Sequence, residues 1–168
     1  MLPPINFQDW INKNRHLLKP PVGNKVVYED AEFIIMVVGG PNTRKDYHID
    51  EGEEFFYQLE GDMVLRIMEN GNPKDISIKE GEIFLLPSKV PHSPQRFENT
   101  VGLVVERKRN VDELDGFQWY CDECNALLYE KYFHLTDIVK QLPPLFTSFW
   151  ENKNARTCGT CNAFLEKP

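Results

Sequence analysis

The chain of 168 residues has little positive charge, no long apolar run and no cysteine before residue 121. Its formal net charge of −7 argues against broad binding to nucleic acid or to anionic membranes, because both depend on clustered Lys and Arg. No run approaches the roughly 18 apolar residues of a membrane helix. The start, Met1-Leu-Pro-Pro, lacks the basic and apolar segments of a secretion signal. We therefore expect a soluble, cytosolic protein of one main domain, with a small molecule as its partner.

Histidine is also scarce, and two of the four histidines belong to the most informative pattern. His48 and Glu54 stand in the spacing His-x5-Glu-x6-Gly, and His92 ends the segment Gly-x5-Pro-x4-His. Two neutral imidazoles and one carboxylate can bind a divalent metal on one face and leave the other face open, as a non-haem Fe(II) site requires for substrate and O2. The alternative is that Glu54 is a solvent-exposed member of the acidic run at residues 50–54. We expect His16 and His134 to be ordinary hydrogen-bonded residues.

The segments around these residues have the composition of short β-strands. Residues 54–60 and 63–68 flank Gly61-Asp62 as the two strands of a hairpin would. Many short strands with regular turns favour a β-sandwich or barrel. Further runs rich in Ile, Val, Leu and Phe occur at 25–29, 32–38, 75–79, 82–86 and 102–106.

A helix is predicted before the first strand. Residues 6–18 carry apolar side chains at helical spacing, and Asn6 can cap the first turn. The segment 19–24, Lys-Pro-Pro-Val-Gly-Asn, then ends the helix. A turn between the first two strands is expected at Asp30 and Ala31.

All four cysteines lie in the last third of the chain as two Cys-x2-Cys pairs: Cys121, Cys124, Cys158 and Cys161. A pair at this spacing places two thiolates at the tip of a turn, and two pairs complete a tetrahedral site. A reducing cytosol disfavours two disulfides, and a redox-active dithiol usually needs one pair, so we predict a structural Fe or Zn. The 33 residues between the pairs require an inserted element. Residues 135–150 can supply it as one or two short helices, broken near Pro143-Pro144.

The two histidine segments resemble the paired motifs of the cupin superfamily, whose small barrel carries a metal at its mouth. Asp50 stands where many cupins have a further histidine, which leaves three protein ligands, and Lys89 stands where the second motif often has glycine. With the cysteine pairs included, the chain resembles the 3-hydroxyanthranilate 3,4-dioxygenases of the short, single-cupin kind with a rubredoxin-like tail. The segments that carry this resemblance are 19–24, 38–48, 54–58, 85–96, 102–106, 119–121 and 158–161.

The resemblance implies a mainly β fold: a single cupin with an N-terminal helix and a helical tail that binds a metal through the four cysteines. It divides the chain into a helix and following loop at 1–24, a barrel with the catalytic Fe(II) at 25–116 and the tail at 117–168. It implies an enzyme that opens the ring of 3-hydroxyanthranilate with both atoms of O2. The product, 2-amino-3-carboxymuconate semialdehyde, closes to quinolinate, the precursor of the NAD ring. A homodimer is implied as well.

The resemblance also implies roles for single residues. His48, Glu54 and His92 would bind the Fe(II), with Glu54 also beside the substrate. Arg96 offers the substrate carboxylate a planar, bidentate partner that Lys would not match. Glu106 could accept a hydrogen bond or a proton from the ring hydroxyl or amine.

Two further polar residues complete the implied site. Arg44 would lie near the O2 position, where its fixed charge would stabilise developing negative charge, and Asn24 would add a hydrogen bond. Phe56 and Pro94 would supply the dry walls that a pocket needs. The alternative for Arg44, Arg96 and Glu106 is a surface ion pair, which contributes little to stability.

Other functions also suit these patterns. One is a different Fe(II) cupin dioxygenase acting on a related aminophenol or a thiol. Another is a non-catalytic cupin that binds a small acid. A third is an interaction protein whose cysteine-rich tail docks on another protein; Asp122 and Glu123, inside the first cysteine pair, argue against nucleic acid as that partner.

Overall fold

The computed structural model describes residues 3–20, 23–29 and 31–168, and only the backbone of Val139. Within these ranges there are three helices: α1 (Phe7–Asn14), which a 3-10 turn at Arg15–Leu17 follows, α2 (Ile138–Glu151) and α3 (Lys153–Arg156). The strands of the same ranges are β1 (Asn24–Val26), β2 (Phe33–Gly39), β3 (Asp46–Ile49), β4 (Glu54–Glu60), β5 (Met63–Glu69), β6 (Asn72–Ile78), β7 (Ile83–Leu86), β8 (His92–Arg96), β9 (Val101–Arg107), β10 (Asp115–Tyr120) and β11 (Leu127–Phe133).

The strands form two antiparallel sheets that enclose an apolar core. One sheet has the order β1-β2-β9-β4-β7, and the other has the order β11-β10-β3-β8-β5-β6. Side chains alternate along a strand, so β4 turns its even-numbered residues inward and its odd-numbered residues outward. The buried residues of the core are Phe56, Met63, Leu65, Ile67, Ile78, Leu86 and Val104. The mainly β, cupin-type architecture expected from the sequence is thus confirmed.

One predicted strand pairing is wrong, because β4 and β5 do not form a hairpin. β4 pairs with β7 and β9, whereas β5 pairs with β6 and β8 in the other sheet. The Gly61-Asp62 turn instead carries the chain from one sheet to the other, with a φ of 63° at Gly61 that favours glycine. The Gly61 N–H donates to Glu80 Oε2 at 2.7 Å, and the Glu80 N–H donates to Asp62 Oδ1 at 2.9 Å. The sequence signal for a turn at Gly61-Asp62 is the same whether the flanking strands pair with each other or lie in different sheets.

The N-terminal helix begins where the sequence predicts. The Asn6 side chain accepts a hydrogen bond from the Asp9 N–H at 3.0 Å and caps α1. The helix packs Ile11 and the following Leu18 against the outer face of the five-stranded sheet. The first strand is shorter than predicted. Part of the segment 19–24, at Pro21 and Val22, and part of the predicted turn, at Asp30, lie outside the described residues.

The C-terminal part contains strands as well as the predicted helices. β10 and β11 extend the six-stranded sheet, and β10 pairs with β3, which carries His48. Because β10 crosses the predicted division between 116 and 117, barrel and tail share one sheet. The three-part division of the chain stays a prediction.

The prediction that the tail helix breaks near Pro143-Pro144 is wrong. α2 runs through both prolines as a single helix of 14 residues. Proline removes hydrogen bonds from the helix interior, so this continuity needs another source of stability. The apolar face of α2 supplies it by packing on Phe117 and Trp119 of β10, and Trp119 stacks on Phe149 at 4.3 Å. None of the described helices is long and apolar enough to cross a membrane.

Candidate active site and metal centres

The inner faces of the two sheets meet at a small cavity, and residues of β4, β8 and β9 follow one another along it in layers. Opposed residues of β4 and β9 form two layers of one wall, Glu54–Glu106 and Phe56–Val104, and the next pair, Gln58–Gly102, lies beside Arg96. Alternate residues of β8 line the cavity from the other sheet: His92, Pro94 and Arg96. One layer follows another every two residues, about 7 Å along a strand. The cavity therefore has a His and carboxylate end, an apolar middle and a guanidinium end.

The cavity has a volume of about 140 Å³. It brings together the polar residues that the sequence suggested for this site: Asn24, Arg44, His48, Glu54, His92, Arg96 and Glu106. The apolar part of the lining consists of Met36, Val38, Phe56, Pro94, Val104, Phe117, Leu135, Ile138 and Leu142. Phe56 and Pro94 lie where dry walls were expected. The contribution of α2 and of Leu135, three residues before it, was not anticipated.

His48, Glu54 and His92 converge at one end of the cavity, with ligand atoms within 4.8 Å of one another. Glu54 Oε1 lies 3.0 Å from His92 Nε2 and 3.4 Å from His48 Nδ1. Glu54 is buried, so it is not a solvated member of its acidic run, and its Oε1 has no hydrogen-bond partner in the described chain. A buried carboxylate oxygen without a donor is costly, and a cation among the three atoms would satisfy it. These residues fit a divalent metal.

The second nitrogen of each histidine is held from behind. His48 Nε2 lies 2.6 Å from Asp115 Oδ2, and His92 Nδ1 lies 2.9 Å from the Val90 carbonyl oxygen. Because a carboxylate and a carbonyl can only accept, each ring donates from that nitrogen and turns its other nitrogen toward Glu54. Burial lowers the pKa of His48, but the carboxylates of Asp115 and Glu54 outweigh it and raise the pKa to about 9. A metal here would replace a proton on Nδ1.

Arg96 lies at the opposite end of the cavity and is only 3% exposed. Its Nη1 donates to Gln58 Oε1 at 3.3 Å, and no carboxylate of the described residues forms an ion pair with it. Burial and the positive charge of Arg44 lower the pKa of Arg96 to about 10, which leaves the side chain charged at neutral pH. Most of its five N–H donors are therefore available to an anion inside the cavity. The alternative prediction, that Arg96 forms an ion pair at the surface, is wrong.

Glu106 also lies inside the protein, 4% exposed, and accepts a hydrogen bond from Arg109 Nη1 at 2.7 Å. It does not pair with its neighbour Arg107, whose guanidinium binds Glu113. Burial and the charge of Glu54 raise the pKa of Glu106 to about 7, against the opposing effect of Arg109. Glu106 is thus a carboxyl group poised to exchange a proton near neutral pH.

Asn24 lines the cavity from β1, and Arg44 lines it from the segment before β3. Arg44 is paired with Asp46 through Nε and Nη2, and its side chain is 29% exposed. This ion pair fixes the guanidinium at the rim and leaves part of it to face the cavity. Asn24 stands opposite Val38 in the pairing of β1 with β2.

Four residues around the site were missed in the sequence: Asn42, Gln58, Arg109 and Asp115. Asn42 Oδ1 accepts from the Arg96 backbone N–H at 2.9 Å, and Gln58 supports the Arg96 side chain. Arg109, which also lines the cavity, binds Glu106, and Asp115 lies behind His48. The sequence could have indicated Gln58, because it is a polar residue at an inward position of a mostly apolar strand. No sequence pattern could have indicated Arg109, because it lies in a loop.

The four cysteines form a second cluster, at the far end of β10. The sulfur atoms of Cys121 and Cys161 are 3.6 Å apart, and those of Cys124 and Cys158 are 3.5 Å apart. All four lie within 4.8 Å of one another, as a shared metal ion requires. Backbone N–H groups of Cys161 and Thr160 lower the pKa of Cys158 to about 6, which favours the thiolate. The predicted clustering of the cysteines is confirmed.

Comparison with known proteins places this site in a family. The family model described as 3-hydroxyanthranilic acid dioxygenase matches residues 1–150. The 3-hydroxyanthranilate 3,4-dioxygenase of Xanthomonas euvesicatoria pv. vesicatoria (strain 85-10) is 56% identical over 168 residues, which cover 100% of this chain and 95% of the relative. The protein of the same name from Nematostella vectensis is 54% identical over 151 residues, which cover 90% of this chain and 55% of the relative.

A solved structure supports the fold. Protein NMB1881 from Neisseria meningitidis matches 62% of this chain and 99% of its own, with a TM-score of 0.50 and 18% identity. At that identity the likeness concerns architecture alone. The family match and the relatives extend over nearly the whole chain, including every residue that lines the cavity. The chain belongs to the 3-hydroxyanthranilic acid dioxygenase family.

Proposed function

We propose that this chain is a 3-hydroxyanthranilate 3,4-dioxygenase, which opens the aromatic ring of its substrate with both atoms of O2. The product, 2-amino-3-carboxymuconate semialdehyde, leads to quinolinate in tryptophan catabolism and NAD biosynthesis. Family membership supports this function. The structural observation that carries it is Arg96: a buried, charged guanidinium without a carboxylate partner, in the same cavity as His48, Glu54 and His92.

The layered cavity suits the shape of this substrate. An aromatic acid with neighbouring hydroxyl and amino groups has an anionic end, a flat apolar middle and a polar end. Arg96 would bind the carboxylate through two parallel hydrogen bonds. Phe56, Pro94 and Val104 would contact the ring faces and keep water away from them. The hydroxyl and amino groups would then face the two histidines and Glu54.

We propose that His48, Glu54 and His92 hold Fe(II). Two imidazoles and one carboxylate suit Fe(II) and leave positions open for further ligands. When bound, the ion would supply the Lewis acidity and redox chemistry through which O2 reacts with the ring. Asp115 and the Val90 carbonyl each hold one ring nitrogen, so Nδ1 of His48 and Nε2 of His92 would be the atoms that bind the ion.

Three further residues would complete the reaction site. Glu106 would accept a proton or hydrogen bond from the ring hydroxyl or amine, since its carboxylate faces the cavity. Arg44 would stabilise negative charge that develops on oxygen, because Asp46 holds its guanidinium at the rim. Asn24 would add a hydrogen-bond donor on the same side. Glu54 would contact the substrate as well as the metal.

The four-cysteine cluster would hold a second metal, Fe or Zn, as a structural element. The cluster joins β10 to the segment after α3, which is also held by a backbone bridge between Thr157 and Phe164 and by the buried side chain of Leu165. We propose the corresponding division of the chain: helix and loop at 1–24, barrel at 25–116 and metal-bound tail at 117–168. We also propose that the protein acts in the cytoplasm.

A homodimer is proposed from the outer face of the five-stranded sheet. Ile83 and Leu85 of edge strand β7 are 64% and 53% exposed, and Phe33 of β2, in the same sheet, is also exposed. Such apolar exposure on a sheet face favours contact with a second copy. Sedimentation velocity should show a dimer for the protein and a monomer for Leu85→Lys; a monomeric wild-type protein would contradict the proposal.

The activity is tested by oxygen uptake. Protein loaded anaerobically with Fe(II) should consume one O2 per 3-hydroxyanthranilate and form an unstable product that decays to quinolinate. Metal-free protein and an analogue of the substrate without the carboxylate serve as controls. An absence of uptake with the metal confirmed in the site would contradict the proposed activity.

A further inference from the structure

Arg109 is a buried guanidinium that no part of the proposed reaction uses. It lies between β9 and β10, and its side chain is 5% exposed. It contacts three buried carboxylates. Its Nη1 donates to Glu106 at 2.7 Å, its Nη2 donates to Asp115 at 2.7 Å and its Nη2 lies 3.0 Å from Asp50 Oδ2. Nε adds a second contact to Asp115 at 3.0 Å.

Each of these carboxylates holds a different part of the site. Asp115 contacts His48 Nε2 at 2.6 Å. Glu106 lines the cavity. Asp50 accepts from the Gly52 N–H at 2.8 Å and so shapes the turn between β3 and β4, the strands that carry His48 and Glu54. One guanidinium therefore connects the orientation of a metal-ligand candidate with the position of the proposed proton acceptor.

We propose that Arg109 is a positioning residue of this site, which orients His48 through Asp115 and at the same time directs Glu106 toward the substrate. What this inference says of Glu106 rests on the proposed function. What it says of His48 rests only on the fit of His48, Glu54 and His92 to a metal ion. Its basis is the contact geometry and burial of four charged groups in a space with almost no solvent. Buried ionic groups keep fixed positions only when each has its partners.

Arg109 also determines where positive charge is located in the site. Carboxylate oxygens of Asp50, Glu54 and Glu106 lie within 4.8 Å of one another, so Glu54 belongs both to this acidic group and to the group with the two histidines. The guanidinium balances the charges of Asp50 and Glu106, both of which it contacts. A metal ion is thereby directed to the side with the imidazole nitrogens.

A conservative variant separates orientation from charge. Arg109→Lys keeps a positive charge but cannot reach three carboxylates in one plane. We expect it to fold, to bind Co(II) in the barrel about 10- to 100-fold more weakly and to change the visible spectrum of bound Co(II). With Fe(II), kcat should fall more than KM rises. Arg107→Met, which removes a half-buried neighbour that is paired with Glu113, is the matched control and should change none of these values.

The two branches are then tested one at a time. Asp115→Asn should weaken Co(II) binding and alter its spectrum as Arg109→Lys does, and combining the two should add little to either. Glu106→Gln should reduce kcat and leave Co(II) binding unchanged. An unaltered Co(II) affinity and spectrum in folded Arg109→Lys would overturn the proposal, as would effects that add fully with those of Asp115→Asn.

The Co(II) measurements do not involve the substrate. If the wild-type protein failed to consume O2 with 3-hydroxyanthranilate, the proposed function would be contradicted. The Co(II) spectra would still decide whether Arg109 orients His48. Should Arg109→Lys not fold, Asp115→Asn decides alone. Unchanged Co(II) binding in that variant would overturn the proposal.

Discussion

The two proposed metal centres of this chain are assembled in different ways. The barrel centre takes His48, Glu54 and His92 from three strands of both sheets. The tail centre takes its sulfur atoms from two matching turns. In each turn, the Asn after the second cysteine adopts a positive φ, 60° at Asn125 and 63° at Asn162, and donates its N–H to the carbonyl of the first cysteine.

This difference matters for what each centre can do. Four thiolates in a tetrahedral shell leave no position for another ligand, as in structural sites. Three ligands on one side of an ion leave the other side open, and here that side would face the cavity lined by Arg96 and Glu106. A local turn is enough to make a closed centre, whereas an open centre with a shaped cavity requires two packed sheets.

The largest effect should come from removing a ligand of the open centre. We expect His92→Ala to lose the barrel metal and about a thousandfold or more in activity, because a catalytic metal supplies several kcal/mol of stabilisation. The tail metal should stay. Metal analysis with parallel rate measurements checks this, with exposed His16→Ala as the control. Full activity in His92→Ala would end the ligand assignment.

The next effect concerns the guanidinium end of the cavity. Arg96→Met should raise KM for 3-hydroxyanthranilate about a hundredfold, because two hydrogen bonds to a charged group are lost. Barrel metal content should not change. Arg66→Met, which removes a surface arginine paired with Asp75, is the control. A KM within twofold of the wild-type value would show that the carboxylate binds elsewhere.

A smaller effect is expected where an added methyl group would displace the Arg96 guanidinium. A Cβ at Gly102 would lie 2.6 Å from Arg96 Nη1 and 2.8 Å from Gln58 Oε1. Gly102→Ala should therefore push the guanidinium out of place and raise KM roughly tenfold, with metal content unchanged. Gly159→Ala is the control, since a Cβ there meets no atom within 4 Å. Loss of metal rather than of substrate affinity would contradict this explanation.

The smallest effect on catalysis is expected at the closed centre. Cys161→Ser should release the tail metal and lower Tm by roughly 5 °C, since a metal-bound segment gains its order from the ion. Activity per barrel iron should stay within about twofold. Calorimetry and rates normalised to barrel iron measure both. A large loss of kcat with the barrel iron still bound would show that the tail takes part in the reaction.

The sequence predicts well that the four cysteines cluster and that the ligand candidates come together, because both depend on local patterns. Two Cys-x2-Cys pairs describe a complete metal-binding turn each, and the histidine segments mark strand positions. The inner-face set of β8, His92, Pro94 and Arg96, follows from the alternation of side chains along a strand. For such residues, spacing along the chain corresponds to position in space.

Features that depend on packing between distant segments were not predictable in the same way. The turn at Gly61 connects two sheets rather than two paired strands, and only the pairings of β4 and β5 show it. Pro143 and Pro144 stay inside α2 because its apolar face is buried on β10. Arg109 lies in a loop, where no periodic pattern indicates which carboxylates it will contact.

The central claim, an open reactive iron centre beside a closed structural one, is tested most directly by Mössbauer spectroscopy of protein reconstituted with 57Fe(II). Spectra are recorded without O2, before and after 3-hydroxyanthranilate is added. The account predicts that the signal of iron with nitrogen and oxygen ligands changes, while any signal of iron with four sulfur ligands stays the same. An unchanged barrel signal at saturating substrate, or a change at the sulfur-ligated iron, would contradict it.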